Sequence, residues 1–139
     1  MSQQNIALLT LTLMAGGAVT EYRAVGFDGN QASVAGQKVM GASMTKAVSG
    51  EPFGVVASGT AIMETGAAIT VGQSLITDSQ GRVVPASGAL TVATGAVAVT
   101  SSAAHGAILL GADLPEYVFA DALQSASGAG LFIEVLLRR

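Results

Sequence analysis

Apolar residues in this chain recur at every second position, and this period constrains the fold more than any other feature. From Leu9 to Leu13 three leucines alternate with two threonines. An extended chain turns the leucines to one face and the threonines to the other. The apolar stripe of a helix needs a spacing of three or four residues instead. The pattern therefore predicts β-strands.

Turn residues separate the extended segments at intervals of roughly 8–12 residues, which is typical of a sandwich or barrel. The turn candidates are Ala15–Ala18, Asp28–Asn30, Ser49–Pro52, Asp78–Gly81 and Ser127–Gly130. The predicted strands are Leu9–Leu13, Tyr22–Phe27 with Val34-Ala35 returning, Val39–Met44, Phe53–Ser58, Ala61–Met63, Ala67–Thr70, Ser74–Thr77, Arg82–Val84 and Leu131–Leu137. At 139 residues the chain has the size of one domain. We therefore predict a single all-β domain over residues 1–139, a small barrel or sandwich of short strands.

The segment Leu114–Gln124 allows two interpretations. Pro115 and Glu116 suit the first turn of a helix, whereas Tyr117–Phe119 is β-prone. The following strand, Leu131–Leu137, also needs a neighbour close in sequence. Strand is therefore the favoured prediction for this segment.

Residues 87–114 differ from the rest of the chain in composition and in hydrophobic pattern. Leu90–Thr100 contains two alternating runs on either side of Gly95, without charge or proline. Such a segment predicts a projecting hairpin or an edge arm, which is prone to aggregation when it is left unpaired. We therefore expect an insertion or extended β-arm here that another chain covers.

Charged residues form only 11% of the chain, against roughly 25% in an average soluble domain. One interpretation is a surface rich in small and uncharged polar residues. The other is that much of the surface is buried against copies of the chain or a larger partner, since interface cores are depleted in charge. A net charge of −3 and 4% aromatic residues argue against nucleic-acid binding.

No segment has the pattern of a secretion signal or a membrane span. Ile6–Ala18 is interrupted by Thr10 and Thr12, and no Lys or Arg precedes it, as a signal peptide would require. No apolar stretch approaches the roughly 18 residues that span a bilayer. We expect a soluble protein that binds no membrane.

Residues that carry chemistry are scarce. The chain has no cysteine and a single histidine, His105. In a catalytic triad a carboxylate orients the histidine base beside a nucleophile, and the sequence shows no such partners for His105. A lone imidazole among nine scattered carboxylates gives no metal-ligand pattern. The sequence predicts neither an enzyme nor a cofactor or metal site.

Several segments, taken in order, resemble the capsid cement, or head decoration, protein family of tailed bacteriophages. The similar segments are Leu11–Ala18, Tyr22–Gly29, Gly66–Leu75 with Asp78, Gly81–Pro85, and Val118–Val135. The resemblance covers most of the chain except about residues 87–114. It implies a small β-barrel or tulip-like fold that assembles as a homo-oligomer, a dimer or a trimer, on the outside of the head. There it would bridge neighbouring major capsid protein subunits after expansion, having been made in the host cytoplasm.

Two other functions remain open: an accessory domain of a phage tail or baseplate or a carbohydrate-binding module, and, third, a small hydrolase. The absence of Trp disfavours carbohydrate binding. We expect intersubunit contacts from an N-terminal arm at about residues 1–5 and from the 87–114 arm. The contact residues expected in these two arms are Ser2, Gln3, Gln4, Asn5, Leu90, Val92, Val97 and Val99.

Overall fold

The computed structural model describes residues 3–88, 98–100, 107–109 and 116–138, and these form an all-β protein. The strands are β1 (Ala7–Met14), β2 (Ala24–Val25), β3 (Gly41–Ser43), β4 (Pro52–Glu64), β5 (Ser74–Thr77), β6 (Val83–Pro85), β7 (Ala98–Thr100), β8 (Ala107–Leu109), β9 (Ala120–Ala122) and β10 (Phe132–Leu137). No helix occurs in the described ranges, and so none that could cross a membrane. The predicted all-β fold class is confirmed.

The 13-residue strand β4 organises the main sheet, whose strand order is β2-β3-β4-β10-β9-β5-β6. The first part of β4 pairs with β1 and with β3, and its second part, residues 60–64, pairs with β10. A parallel bridge between Thr65 and Val83 then joins the end of β4 to β6. This bridge joins β6, the last strand of the path, back to β4, so strands β4, β10, β9, β5 and β6 form a nearly closed barrel.

Gly59 allows the start of β1 to lie close beside β4. Its φ of +98° lies in the left-handed region, and an added Cβ would come within 2.3 Å of the Ile6 carbonyl oxygen. Only glycine accepts both constraints without strain. Two register shifts between β1 and β4 occur at this point, so the glycine marks an irregularity that bends the pair.

Small and branched apolar side chains fill the barrel. The main cluster is Ala24, Ala32, Val39, Ala42, Val56, Ala61, Met63, Ile69, Leu75, Val83, Phe119, Ala120, Ala122, Ala126, Ile133, Val135 and Leu137. A second, smaller cluster contains Ala15, Val19, Val25, Ala47, Phe53 and Val55, with Leu13 and Met40 packed against it. Strand β4 contributes to both clusters, because its two faces are covered by different parts of the chain.

Thr65 ties the closing hairpin to the barrel. Its hydroxyl donates to the Gly128 carbonyl at 2.7 Å and accepts from the Leu131 amide at 3.1 Å. Its own amide donates to the Leu131 carbonyl, and its carbonyl accepts from the Gly130 amide. This fully buried residue therefore fixes the loop between β9 and β10.

Most of the predicted strands are present, and the structure settles the ambiguous segment before the last one. β9 lies at 120–122 and pairs with both β10 and β5, so strand was correct there. The prediction for Val34-Ala35 was wrong: the chain returns earlier, through a bridge between Val25 and Gln31. The Asp28 carboxylate accepts from the Asn30 amide and closes this tighter turn.

In the predicted 87–114 arm the structure describes the first residues and two short strands. β7 pairs antiparallel with β8, with Val99 opposite Ile108, as a two-stranded sheet separate from the main one. Leu90, Val92, Gly95 and Val97 lie outside the described residues. The extent of the arm therefore stays a prediction.

Candidate contact surface

The part of the chain that the structure describes contains no group of three or more His, Cys, Asp or Glu side chains able to hold a metal ion. His105 lies outside the described residues. One open groove has a volume of about 440 Å³ and is lined by Val19, Lys46, Glu51 and small neighbours.

Strand β1 is exposed along its whole length. Seven of its eight residues are exposed and only Leu13 is partly buried. Leu8 is 77% exposed and Met14 is 60% exposed. Because fully burying a leucine side chain contributes about 1.5–3 kcal/mol, a strand with such exposure leaves much apolar area available to a partner.

One edge of β1 is open. The Met44 amide donates to the Gly54 carbonyl, so the Gly54 backbone faces β3. Thr12, opposite Gly54, therefore forms a non-hydrogen-bonded pair with β4, and its own amide and carbonyl point away from the barrel. Among the described residues β1 pairs with β4 alone. The outward edge is free to accept another strand.

We define the apolar strip as the five large exposed side chains on and just before β1. They are Ile6, Leu8, Leu9, Leu11 and Met14. Phe132 and Leu136 of β10 are also exposed, at 49% and 44%. Residues 1–20 contain no ionisable side chain. The strip is therefore apolar and free of charged side chains, a combination typical of interface cores.

The N-terminal segment is held against β10 by a buried carboxylate. Glu134 is 1% exposed and accepts from the Gln4 amide at 2.7 Å, the Asn5 amide at 3.0 Å and the Thr60 hydroxyl at 2.6 Å. The Gln3 side chain donates to the Phe132 carbonyl. These bonds fix the direction in which the chain enters β1.

The same contacts set the charge state of Glu134. Burial raises the pKa of its carboxyl group, but the hydrogen bonds from Thr60, Gln4 and Asn5 outweigh burial, so the pKa lies below its ordinary value of 4.5. Hydrogen bonds to the charged form stabilise it. The carboxylate is thus ionised at neutral pH and satisfied within the chain.

Charged groups near the sheet are paired in the same way. Arg23 donates through Nε to Glu64 at 3.0 Å, and both side chains are largely buried. Tyr22, beside Arg23, packs edge-to-face on Phe132 with ring centroids 5.5 Å apart. These contacts neutralise the charge beside Phe132 without help from a partner.

The structure places the expected contact residues unevenly. Gln3, Gln4 and Asn5 are exposed but bound to β10, Val99 lies in β7, and Ser2 lies outside the described residues. The sequence prediction assigned contacts to the residues before β1 and to the 87–114 arm, and it stays a prediction. It did not single out β1, whose exposure is visible only in the structure.

Comparison with known proteins supports the all-β fold and indicates a protein family. A family model described as phage cement protein matches residues 2–112. That range runs through most of the 87–114 segment and ends before β9 and β10. No curated protein matches the chain.

The solved structure of the head fiber gp8.5 N base in bacteriophage phi29 has a similar fold, with a TM-score of 0.62. The alignment covers 94% of this chain and 93% of that chain at 16% sequence identity. The small barrel described above thus recurs in a solved protein with little sequence in common.

Proposed function

Because the chain belongs to the phage cement protein family, a family of structural phage proteins, we propose that it binds the outer surface of the phage head and bridges neighbouring major capsid protein subunits. In this role it stabilises the expanded capsid and acts without catalysis. The observation that carries the proposal is the exposed, uncharged strand β1 on an otherwise well-packed barrel.

Such a protein needs rigidity and contact area rather than reactive groups. The barrel supplies rigidity. Within the described ranges, every buried side-chain nitrogen or oxygen atom has a hydrogen-bond partner. An open strand edge can add main-chain hydrogen bonds to a partner. Many copies on one shell would let modest single contacts add up, since linked sites raise the effective concentration.

The test is saturable co-sedimentation of the purified protein with undecorated, expanded heads of its phage. Unexpanded shells serve as the control. We expect binding to expanded heads alone, with a fixed number of copies per shell, and a rise in the temperature at which the heads release DNA. Binding to neither shell would contradict the proposal and favour the tail or baseplate.

A further inference from the structure

We propose that Glu134 is a positioning residue for head binding: its carboxylate holds residues 3–6 against the barrel and so keeps β1 where its open edge can meet the shell. The proposal rests on the proposed function and deepens it, because it names the residue that positions the contact strand. We define the latch as this carboxylate and the groups that bind it directly or through one hydroxyl. They are the Thr60 hydroxyl and the backbone amides of Gln4, Asn5 and Ile6.

Two parts of the chain have the same fold, and their comparison shows what holds β1. An isolated bridge, the pairing of a first strand and a set of core residues each occur twice, in the same order. The corresponding pairs are Val19–Ala47 and Ile69–Ala126, Met14–Pro52 and Glu64–Phe132, and Thr12–Gly54 and Ile62–Glu134. The corresponding core residues are Leu13, Val25, Phe53 and Val55 in one part and Met63, Leu75, Ile133 and Val135 in the other. The chain therefore contains two units of one fold. The first strand is β1 in the first unit and the second part of β4 in the second.

The second part of β4 is held at its start and along its edge. Its start is continuous with the first part of the same strand. Along its edge, the Thr60 and Glu64 amides donate to the carbonyls of Ile6 and Tyr22. In the first unit β1 has an open edge instead, and residues 3–6 precede it. Within the described residues, the start of β1 therefore depends on the contacts of residues 3–6 and on its pairing with β4.

Three consecutive backbone amides converge on the latch. The Gln4 amide donates to Glu134 Oε2 at 2.7 Å, and the Asn5 amide donates to Oε1 at 3.0 Å. The Ile6 amide donates to the Thr60 hydroxyl at 2.7 Å, and this hydroxyl donates to Oε1 at 2.6 Å. Asn5 has a φ of +52°, a left-handed conformation that asparagine accepts better than most residues and that can direct successive amides to one anion. Because bonds to an ionised acceptor are stronger than neutral ones, the latch depends on the charge of Glu134.

The first unit shows that the fold does not need an acid at this position. Gly54 corresponds to Glu134, and the carbonyls of both accept from the neighbouring strand, from the Met44 amide and the Leu123 amide. Gly54 has no side chain to bury. A buried carboxylate is unfavourable unless it is hydrogen-bonded, and Glu134 is 1% exposed. Its presence in the second unit is therefore explained by the segment that it binds, residues 3–6.

Strand β1 has few other contacts to hold it. Seven of its eight residues are exposed, and β4 is its one strand partner among the described residues. Both register shifts lie between Ala7 and Thr10, so the pairing is least regular at the end that follows the latch. Segments with little burial open locally at a low cost in free energy. Loss of the latch should therefore release the start of β1, and a smaller fraction of molecules would present the edge ready to bind.

The experiment measures co-sedimentation with expanded heads for the wild type, Glu134→Gln, a deletion of residues 3–5, and the two changes combined. We expect each single change to weaken binding at least tenfold. The combined variant should bind no more weakly than the weaker of the two, because both changes remove the same latch and their effects do not add. The deletion leaves every barrel residue in place, so it also covers the case in which Glu134→Gln fails to fold.

Two control variants separate positioning from general stability. Thr65→Val weakens the barrel at the closing hairpin, away from the latch, and the folded variant should bind heads as the wild type does. Glu21→Gln removes an exposed carboxylate and should also bind normally.

Amide hydrogen exchange tests the latch without heads. In Glu134→Gln and in the deletion variant, the Leu11 and Leu13 amides, which face β4, should exchange at least tenfold faster than in the wild type. Amides of β5 should not change. Thr65→Val should leave the β1 amides as protected as in the wild type, relative to β5.

Wild-type head binding by Glu134→Gln, effects that add in the combined variant, or unchanged exchange of the β1 amides would overturn the inference. If the wild type does not bind heads, the proposed function is contradicted. Faster exchange of β1 in Glu134→Gln would then still establish that the latch positions this strand.

Discussion

At the scale of single residues, Glu134 connects the N-terminus to the barrel. Alternation along β10 puts it on the face of the exposed Phe132 and Leu136, so the sequence predicts an outward-facing carboxylate. In the structure it is buried, because residues 3–6 cross that face and cover its middle position. The local pattern gave the correct face and could not reveal the segment that covers it.

Replacing Glu134 with Gln should destabilise the protein in a pH-dependent way. The glutamine side chain has the shape of glutamate, but its NH₂ group is a donor and would face backbone amides that need an acceptor. We expect this mismatch to lower the free energy of unfolding by about 1–3 kcal/mol. Because the pKa of Glu134 lies below its ordinary value of 4.5, the wild type gains stability above that pH and loses it as the pH falls further.

The measurement is the unfolding midpoint of wild type and Glu134→Gln between pH 3 and pH 7. The two midpoints should differ most at pH 7 and converge toward pH 3. The exposed Glu21→Gln provides the matched control. A difference that is constant over the whole range would show that ionisation of Glu134 does not stabilise the fold.

Thr65→Val should test the residue that fixes the closing hairpin. Valine has the same shape, but it leaves the Gly128 carbonyl and the Leu131 amide without the hydroxyl that they contact. We expect a loss of about 1–3 kcal/mol in the free energy of unfolding, measured by urea denaturation. Thr70→Val, at an exposed position, should change it by less than about 0.5 kcal/mol.

At the scale of elements, the two edges of β1 differ, and proline can distinguish them. The amide of Thr12 points outward, whereas Leu13, opposite Phe53, forms a hydrogen-bonded pair with β4. Proline is accepted at a strand edge where its missing N–H faces solvent.

Thr12→Pro should therefore keep the fold, and Leu13→Pro should lose at least about 1–3 kcal/mol from the broken ladder and the disturbed packing. Thermal unfolding followed by circular dichroism measures both. Equal destabilisation by the two substitutions would mean that the outward edge of β1 is not open. Because the open edge of β1 is proposed to bind the head, Thr12→Pro should also weaken co-sedimentation with expanded heads.

Strand positions followed from the local pattern where alternation was strong, as in β1, or where a turn followed a short apolar run, as in β5. Strand positions did not follow from the local pattern where contacts between residues distant in sequence determine which residues pair. Only Ala24–Val25 of the predicted Tyr22–Phe27 strand pairs regularly, because Tyr22 has a φ of +62° and its ring packs on Phe132. The 13-residue length of β4 was also missed, since Gly59 reads as a break and is instead an irregularity within one strand.

At the scale of the whole molecule, the low charge makes a prediction about salt. Binding to the head through a strip without ionisable side chains should not weaken between 0.1 and 1 M NaCl, because there is no Coulomb attraction to screen. Co-sedimentation with expanded heads at both salt concentrations measures the bound fraction. A marked loss of bound protein at high salt would contradict an apolar interface.

The sequence by itself determined the fold class, the absence of cysteine chemistry and the uncharged character of residues 1–20, because period, composition and charge are local properties. Tertiary structure alone decided that β1 is an open edge, that Glu134 is covered and that the Thr65–Val83 bridge closes the barrel. Each of these depends on which distant segment lies beside a residue. An alternating strand has the same sequence pattern whether its apolar face packs on the core or stays exposed for a partner to bind.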